Sequence, residues 1–280
     1  MPAEPGMSSA TDSGPTVDVA WIAAHLEDPR VQLIEVDVSP AAYAAGHIPG
    51  AILWNAYADL RDPSYRTIAL TELEGLLCRA GITPATTLVF HGYGAALGFW
   101  LMKAHGHSDV RILLGSREQW AQAGWPWSTD VPEAIASSYS LAPPSEDLFA
   151  SQADVAAAIG DPGTVLLDVR AGLEYGGERF WPSGATADAG RAGHLPGAVS
   201  VPIDQLRNDD DTLKSPEEIR RALETAGVTS ERKVIVYCTI GNRASLAWFA
   251  LEHLLGYPEV SVYYGSWVEW AKQADTPVVT

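Results

Sequence analysis

Short apolar runs alternate with stretches of helical spacing along most of this chain. The runs hold four or five residues, mainly Val, Leu and Ile, which is typical of buried strands in a parallel sheet. Apolar residues recur at helical spacing over 71–80 and 216–226, and the second stretch opens with Ser215 and Pro216, a favourable helix start. The alternation predicts an α/β fold on mainly parallel sheets. The predicted strands are 32–36, 51–54, 87–90, 110–114, 164–168, 198–201, 233–237 and 260–263.

The second half of the chain repeats the first. Residues 32–37 (QLIEVD) correspond to 165–170 (VLLDVR), and residues 45–51 (AGHIPGA) correspond to 192–198 (AGHLPGA). Further matches follow in the same order, up to a Gly-Ser pair near the end of each half. Such an ordered set of matches indicates two domains of one fold. The predicted division is a disordered tail over 1–16, a first domain over 17–130, a linker over 131–146 and a second domain over 147–280.

Differences between the halves indicate that only the second carries a reaction site. Between matched aromatic residues the second half has eleven residues, 238–248, whereas the first has eight, 91–98. The added residues include a cysteine. The connection from Arg170 to His194 spans 24 positions, against ten in the first half, and adds cations and a covering loop. Its residues Arg179 and Arg191 are equally consistent with substrate contact and with surface positions.

Cys238 is the strongest candidate for chemistry. It follows the apolar run 234–237 and opens a short loop containing Gly241, and helical spacing begins after Arg243. A cysteine in this place faces free backbone N–H groups and the positive end of a helix dipole, which stabilise a thiolate. Because a thiolate is a nucleophile, we expect one site at the C-terminal ends of the second domain's strands.

Charge and composition restrict the classes of function. The 280 residues include 18 Lys and Arg against 35 Asp and Glu, and the net charge of −17 disfavours nucleic acid and anionic membranes as partners. No apolar run approaches the ~18 residues of a membrane span, and the first sixteen residues do not resemble a signal peptide. Two cysteines make neither a disulfide framework nor a zinc site. A reducing, cytoplasmic setting is therefore expected.

Four further residues have ordinary structural interpretations. Cys78 lies on the apolar side of a predicted helix and is interpreted as a core thiol. His47 and His194 recur in both halves, including the half without the cysteine loop, so a structural role in a turn is favoured for both. His91 takes the place of Cys238 in the first half but has no evident catalytic partner, so packing is the expected role.

Taken together, these motifs resemble the two-domain rhodanese family, the thiosulfate and 3-mercaptopyruvate sulfurtransferases. The resemblance covers about residues 17–280 and rests on the GHIPGA and GHLPGA motifs, residues 168–170 (DVR), the Cys238 loop and residues 265–270 (GSWVEW). It implies two tandem rhodanese-like domains, each with a mainly parallel five-stranded sheet flanked by helices. It also implies a non-catalytic first domain and a catalytic second one, and it requires no metal or organic cofactor.

The resemblance further implies a two-step sulfur transfer. A small-molecule donor such as thiosulfate gives its sulfane sulfur to Cys238 as a persulfide, and a thiophilic acceptor, cyanide or a thiol, removes it. Arg243 is expected to share the catalytic role by holding the loop and adding positive potential. For Arg170 an ion pair with Asp168 or Glu174 is the alternative to substrate contact. The expected substrate-binding residues are Arg170, Thr239, Ile240, Gly241, Asn242 and Trp267.

The cysteine loop departs from the family pattern at one position. Many thiosulfate-type members have a basic residue directly after the cysteine, where this chain has Thr239, and mercaptopyruvate-type members usually have a smaller loop. Thiosulfate is the expected donor and 3-mercaptopyruvate the alternative. A third hypothesis is a persulfide carrier that hands sulfur to a biosynthetic partner protein, because the same loop can serve an enzyme or a carrier. A cysteine phosphatase is disfavoured, since four residues between Cys238 and Arg243 make a small cradle for phosphate.

Overall fold

The computed structural model describes residues 14–185, 189–210 and 212–280. The strands in chain order are β1 Thr16–Val17, β2 Val31–Asp37, β3 Ile52–Asn55, β4 Thr87–His91, β5 Val110–Leu113, β6 Phe149–Ala150, β7 Thr164–Asp168, β8 Val199–Ser200, β9 Lys233–Tyr237 and β10 Val260–Tyr263. The helices are α1 Val19–His25, α2 Pro40–Ala45, α3 Leu70–Arg79, α4 Ala95–Ala104, α5 Arg117–Gln122, α6 Gln152–Ala158, α7 Gly172–Tyr175, α8 Pro216–Thr225, α9 Asn242–Phe249 and α10 Ser266–Trp270. A 3-10 turn follows β8 at Ile203–Gln205, and the π-helical turn Ala250–Leu254 extends α9.

The strands form two parallel sheets of five, which confirms the predicted fold class. The first sheet has the order β1-β5-β4-β2-β3, and the second has the equivalent order β6-β10-β9-β7-β8. All eight predicted strands are present within two residues of their predicted ends. The strands that the pattern missed are β1 and β6, two residues each at the sheet edges. Since Thr16 pairs with Ile112, residue 16 belongs to the first sheet and not to the predicted tail, while residues 1–13 lie outside the described part.

Buried apolar residues place β4 and β9 inside their sheets. In β9 the last four residues are fully buried, and the strand is hydrogen-bonded to β7 on one side and β10 on the other. Helix α8 starts where the sequence predicts it: the Ser215 hydroxyl accepts from the amide of Glu218, and the Glu218 carboxylate accepts in return from the amide of Ser215. This reciprocal cap satisfies amides that the first helical turn leaves without partners.

The two halves pack together through α4 and α9, the helices that follow the two central strands. Nine of the ten residues of α4 are buried, so the helix has no solvent face. Across the contact, the rings of Phe99 and Phe249 meet edge to face with centroids 5.1 Å apart, and Phe99 also lies 6.1 Å from Trp248. The core is therefore continuous from one sheet to the other. This packing brings the loop before α4 close to the loop before α9.

The predicted linker runs as an extended chain along the first half. The Ser137 amide donates to the Cys78 carbonyl at 2.9 Å, and the Leu141 amide donates to a Glu74 carboxylate oxygen at 2.9 Å. Cys78 is half-buried beneath this segment, with its sulfur 3.8 Å from the Tyr139 carbonyl oxygen. Among the described residues, no helix combines the length and the apolar character that a bilayer crossing requires.

Candidate active site

Cys238 lies directly after β9, at the C-terminal edge of the second sheet. The loop that it opens is held by two backbone hydrogen bonds from α10: the Trp267 amide donates to the Cys238 carbonyl at 2.9 Å, and the Val268 amide donates to the Thr239 carbonyl at 3.0 Å. Cys238 is almost completely buried, with 1% of its surface exposed. The sheet edge and α10 together fix the position of its sulfur.

The Cys238 sulfur accepts a backbone hydrogen bond within its own loop. The Gly241 amide donates to Sγ at 3.0 Å. Gly241 has φ of +95°, in the left-handed region that favours glycine, and this conformation turns its N–H toward the sulfur at the start of α9. An amide aimed at the sulfur and the adjacent helix N-terminus both stabilise negative charge at this position.

Arg243 fastens the end of the loop through a buried network. Its guanidinium donates to both oxygens of Glu174, Nη1 to Oε2 at 2.8 Å and Nη2 to Oε1 at 2.9 Å, and Nη2 also donates to the Thr239 hydroxyl at 2.7 Å. The Thr239 hydroxyl donates to Glu174 Oε1 at 2.6 Å. Burial alone lowers the pKa of Arg243, but its bonds to Glu174 and the charge at Cys238 raise it overall. The expected loop-holding role of Arg243 thus has a physical basis.

A cavity of about 390 Å³ opens over the cysteine loop. Its walls come from both halves of the chain and from the longer connection in the second half. Thr239, Ile240, Asn242 and Arg243, all predicted site residues, line it. The remaining lining residues are Tyr57, Tyr65 and Tyr93 from the first half and Trp181, Pro182, Ser183 and Ala185 from the connection. The connection therefore covers the site, and the first half contributes a wall that the repeat comparison did not predict.

Arg61 reaches the cysteine loop from the first half. Its side chain is buried, and its Nη2 is the nearest atom, at 3.0 Å, to the position that a Cβ on Gly241 would take. Nη1 donates to the Tyr65 carbonyl at 3.2 Å, whereas Nη2 has no hydrogen-bond partner among the described residues. Burial lowers the pKa of Arg61 to about 10, and the negative charge at Cys238 opposes that shift most strongly. A cation from the first half therefore lies beside the Cys238 loop.

Arg170 does not face the cavity, which contradicts its prediction as a substrate-binding residue. The side chain is fully buried and pairs with Asp168, with Nη2 2.6 Å from Oδ2. The alternative that the sequence left open, an ion pair with Asp168, is the one that the structure contains. Nη2 also donates to the Gly193 carbonyl at 2.8 Å, so Arg170 ties the end of β7 to the connection that returns toward β8.

Trp267, which was also predicted to bind substrate, likewise lies away from the cavity. It is fully buried, its indole N–H donates to the Arg191 carbonyl at 3.1 Å, and the Arg170 guanidinium carbon lies 4.5 Å from its ring centroid. It packs behind the loop and lines no part of the cavity. Arg191 is structural as well, since Nη1 donates to the Thr276 carbonyl at 2.6 Å.

The two repeated histidines occupy equivalent structural positions. His47 stacks on Tyr43 with ring centroids 3.8 Å apart, and His194 stacks on Tyr175 with centroids 3.7 Å apart. Each Nδ1 also lies within 3.0 Å of the carbonyl oxygen of the same tyrosine. His91, at the place of Cys238 in the first half, is the buried last residue of β4. These contacts agree with the structural interpretation of all three.

The sequence analysis did not predict that the first half contributes residues to the site, because no local sequence pattern indicates this contact. Tyr57 and Arg61 follow β3, and Tyr93 follows β4, so all lie at the C-terminal edge of the first sheet. The packing of α4 on α9 turns that edge toward the second. A usable signal was the cluster of tyrosines and arginines over 57–66, in the half without the cysteine loop.

Comparison with known proteins agrees with this architecture. The sequence model of the family "Rhodanese-like domain" matches residues 18–123 and 151–273. The sulfur carrier protein TtuD of Thermus thermophilus is 40% identical over 271 residues, which cover 94% of this chain and 95% of that protein. A Haloferax volcanii protein named "Putative thiosulfate sulfurtransferase" is 38% identical over 272 residues, with the same coverage of both chains.

Solved structures show the same relationship. The anaerobic ergothioneine biosynthesis enzyme of Chlorobium limicola, determined with trimethyl histidine, superposes with a TM-score of 0.86 at 28% identity, over 95% of this chain and 70% of that one. A structure of EanB carrying a cysteine persulfide, with ergothioneine, has a TM-score of 0.86 at 27% identity, over 95% of this chain and 70% of that chain. With one rhodanese-like domain in each half, this chain belongs to the rhodanese family of sulfurtransferases.

Proposed function

We propose that the protein moves sulfane sulfur from thiosulfate to cyanide or a thiol through a persulfide on Cys238. The observation that carries the proposal is the 3.0 Å hydrogen bond from the Gly241 amide to Cys238 Sγ, in a loop whose residues Thr239, Ile240 and Asn242 line a cavity of about 390 Å³. That contact favours the thiolate that the first step requires. Relatives named for thiosulfate sulfur transfer support the choice of donor.

In the first step, the Cys238 thiolate attacks the outer sulfur of thiosulfate. Its electron pair forms a new S–S bond, the S–S bond of thiosulfate breaks, and sulfite leaves with the bonding pair. The outer sulfur then carries the negative charge as the terminal atom of a cysteine persulfide. The step consumes no proton and needs no external oxidant or reductant, because the oxidation level of the transferred sulfur is supplied by the donor.

In the second step, the acceptor attacks the terminal persulfide sulfur. Cyanide forms a C–S bond and leaves as thiocyanate, or a thiolate forms an S–S bond and leaves as a persulfide. The Cys238 thiolate departs with the electron pair of the broken bond, so the site returns to its starting charge. The same amide and helix terminus that favour the initial thiolate also lower the barrier for its departure.

The cavity residues have distinct parts in this scheme. Gly241 supplies the N–H group at the sulfur, and Arg243 with Glu174 keeps the loop in place. Thr239, Ile240 and Asn242 shape the cavity floor that the donor would occupy. We assign no donor contact to Arg170 or Trp267, since both are fully buried behind the loop.

A persulfide carrier is the second candidate function. It is favoured by one observation: the relative named as a sulfur carrier protein is 40% identical over nearly the whole length of both chains. In that role Cys238 would hand its sulfur to a partner protein and not to a small molecule. 3-Mercaptopyruvate is the alternative donor in either role. Two free cysteines suit a reducing compartment, and we place the reaction in the cytoplasm.

Steady-state turnover with thiosulfate and with 3-mercaptopyruvate, each with cyanide or a thiol as acceptor, tests this proposal. A persulfide intermediate predicts a ping-pong pattern, with parallel lines in double-reciprocal plots. Cys238→Ser should abolish turnover, and Cys78→Ser serves as the matched control that removes the other thiol. Negligible turnover with both donors, together with a persulfide that still forms on Cys238, would favour the carrier.

A further inference from the structure

We propose that Arg61, from the first half of the chain, is a binding group for the anionic sulfur on Cys238 in the second half. In this role it supplies the positive charge that Thr239, the residue directly after the cysteine, does not. The proposal rests on the proposed function, because the anion that it assigns to Arg61 is the thiolate and then the persulfide. It makes the first half a working part of the site.

The position of Arg61 is the first support. Its Nη2 lies 3.0 Å from where a Cβ of Gly241 would stand, and the Gly241 amide itself contacts Cys238 Sγ. Arg61 approaches over the one loop residue that has no side chain. Any larger residue at 241 would occupy the space that the guanidinium uses, so the loop sequence and the first-half arginine fit together.

The state of its hydrogen bonds is the second support. Only 5% of Arg61 is exposed, yet Nη2 has no hydrogen-bond partner and no carboxylate lies within ion-pair distance among the described residues. A buried cation without a counter-ion is costly. The anionic sulfur of Cys238 is the counter-ion that the surroundings offer.

The other two cations near the loop, Arg243 and Arg170, are already paired with carboxylates. Arg243 binds both oxygens of Glu174, and Arg170 pairs with Asp168 behind the sheet edge. Each of these two cations has a carboxylate partner, whereas Arg61 has none within ion-pair distance among the described residues. The positive charge of Arg61 would also attract an anionic donor into the cavity.

Few titratable groups share the surroundings of the sulfur. Tyr57, Arg61 and Arg243 interact directly with the charge at Cys238, and Tyr93 lies beside all three. Burial, with the neighbouring Tyr93, raises the pKa of Tyr57 to about 12, so this phenol stays neutral through the neutral range. Loss of the Arg61 charge should therefore change the electrostatic potential at the sulfur, because Tyr57 does not change its protonation to offset that loss.

Alkylation of Cys238 tests the proposal without depending on sulfur transfer. In a Cys78→Ser background, Cys238 is the one remaining thiol, and its rates with negatively charged iodoacetate and neutral iodoacetamide are compared. Arg61→Met keeps the apolar stem and removes the charge, and Arg61→Lys keeps the charge. Arg66→Gln is the matched control, since it removes a cation of the same segment that contacts Tyr264 and Glu269.

We expect Arg61→Met to lower the iodoacetate-to-iodoacetamide rate ratio about tenfold or more, as for the loss of one opposite charge within a few ångströms. Arg61→Lys should keep most of the ratio, and Arg66→Gln should leave it unchanged. A ratio in Arg61→Met equal to that of Arg66→Gln overturns the proposal. Absence of turnover in the unmodified protein would instead overturn the proposed function and leave the alkylation result standing.

Stability supplies a second, independent measurement. A purely structural Arg61 predicts that Arg61→Met destabilises the fold equally whether residue 238 is Cys or Ser. A counter-ion role predicts that Arg61→Met is tolerated better in the Cys238→Ser protein, where no anion balances the guanidinium. Urea unfolding of the four proteins in this cycle gives the coupling directly. Zero coupling counts against the proposal.

Discussion

Arg243 and Glu174 form a two-pronged ion pair beside the reactive loop, with Nη1 and Nη2 of the arginine 2.8 and 2.9 Å from the two carboxylate oxygens. Glu174 is fully buried, and 18% of the Arg243 side chain is exposed. The pair joins the helix after the cysteine to α7, which starts the connection covering the cavity. Arg243 therefore contributes charge to the site and also fixes the geometry of its loop.

The first prediction separates these two contributions of Arg243. Arg243→Ala leaves a buried carboxylate without its partner, which typically costs about 3–5 kcal/mol of unfolding free energy. It should also slow alkylation of Cys238 at neutral pH. Adding Glu174→Gln should restore part of the stability but not the alkylation rate, because the positive charge is still missing. Urea unfolding and iodoacetamide kinetics on both variants measure this, and unchanged alkylation in Arg243→Ala would remove its charge from the mechanism.

The same pair has a predictable dependence on pH. Burial alone raises the pKa of Glu174, but Arg243 and the Thr239 hydroxyl lower it overall. A folded-state pKa below the unfolded value contributes stability above the ordinary carboxyl range, and that contribution is lost as pH falls through it. The stability difference between the unmodified protein and Arg243→Ala should therefore shrink in acid. A difference that grows below pH 5 would contradict the assignment.

Gly241→Ala tests the amide contact to the sulfur. A Cβ at φ of +95° is strained and would stand 3.0 Å from Arg61 Nη2, so the loop or the Arg61 guanidinium must move from its place beside the sulfur. We expect turnover and alkylation to fall at least tenfold, for a stability cost of about 1–2 kcal/mol. Gly256→Ala is the control: its φ is +72°, and a Cβ there meets nothing within 4 Å. Equal kinetic losses in both variants would show that backbone strain alone, and not the sulfur contact, is responsible.

Arg170→Met tests the reassignment of Arg170 from substrate binding to structure. Asp168 would lose a fully buried partner, and breaking such a pair costs about 3–5 kcal/mol. The KM for thiosulfate in the folded protein should stay within about twofold, a change too small to indicate a lost charge contact. A large rise in KM with unchanged stability would instead restore the original expectation that Arg170 binds the donor.

His91 gives a prediction in the half without the cysteine loop. Burial lowers its pKa to about 3, and its Nε2 has no hydrogen-bond partner among the described residues. Between about pH 6.5 and 3 the unfolded chain binds a proton that the folded one excludes, so this residue removes stability as pH falls, by up to about 1.4 kcal/mol per pH unit. His91→Leu should lessen the loss of unfolding free energy between pH 7 and 5. An identical pH slope in the two proteins would contradict the buried neutral imidazole.

The local pattern of apolar residues was enough to predict most of the fold. Strands such as Lys233–Tyr237 and Val260–Tyr263 match their predicted ranges, because a short apolar run between polar residues is a strong signal for a buried strand. The edge strands Thr16–Val17 and Phe149–Ala150 are too short to show any periodicity. The position of Cys238 was also predictable, since a strand, a glycine loop and a helix follow each other in the sequence.

The remainder of the site depends on contacts between distant segments. Arg170 has the residue type and the strand-end position of a ligand contact, but Asp168 two positions earlier turns it inward. Arg61 reaches the cysteine loop and Tyr93 reaches the cavity because α4 packs on α9, and no local pattern encodes that contact between halves. The differences between the two repeats predicted a reaction site in the second half. They could not show that residues of both halves line the cavity.

Peptide mass spectrometry after a single exposure to thiosulfate tests the central claim most directly. We expect the mass of one added sulfur atom on the peptide containing Cys238, its disappearance when cyanide is added, and release of an equal amount of thiocyanate. Cys78→Ser should give the same result, and Cys238→Ser should give no added sulfur. Sulfur found on Cys78, or thiocyanate formed while Cys238 remains unmodified under single-turnover conditions, would contradict a persulfide at Cys238 as the intermediate.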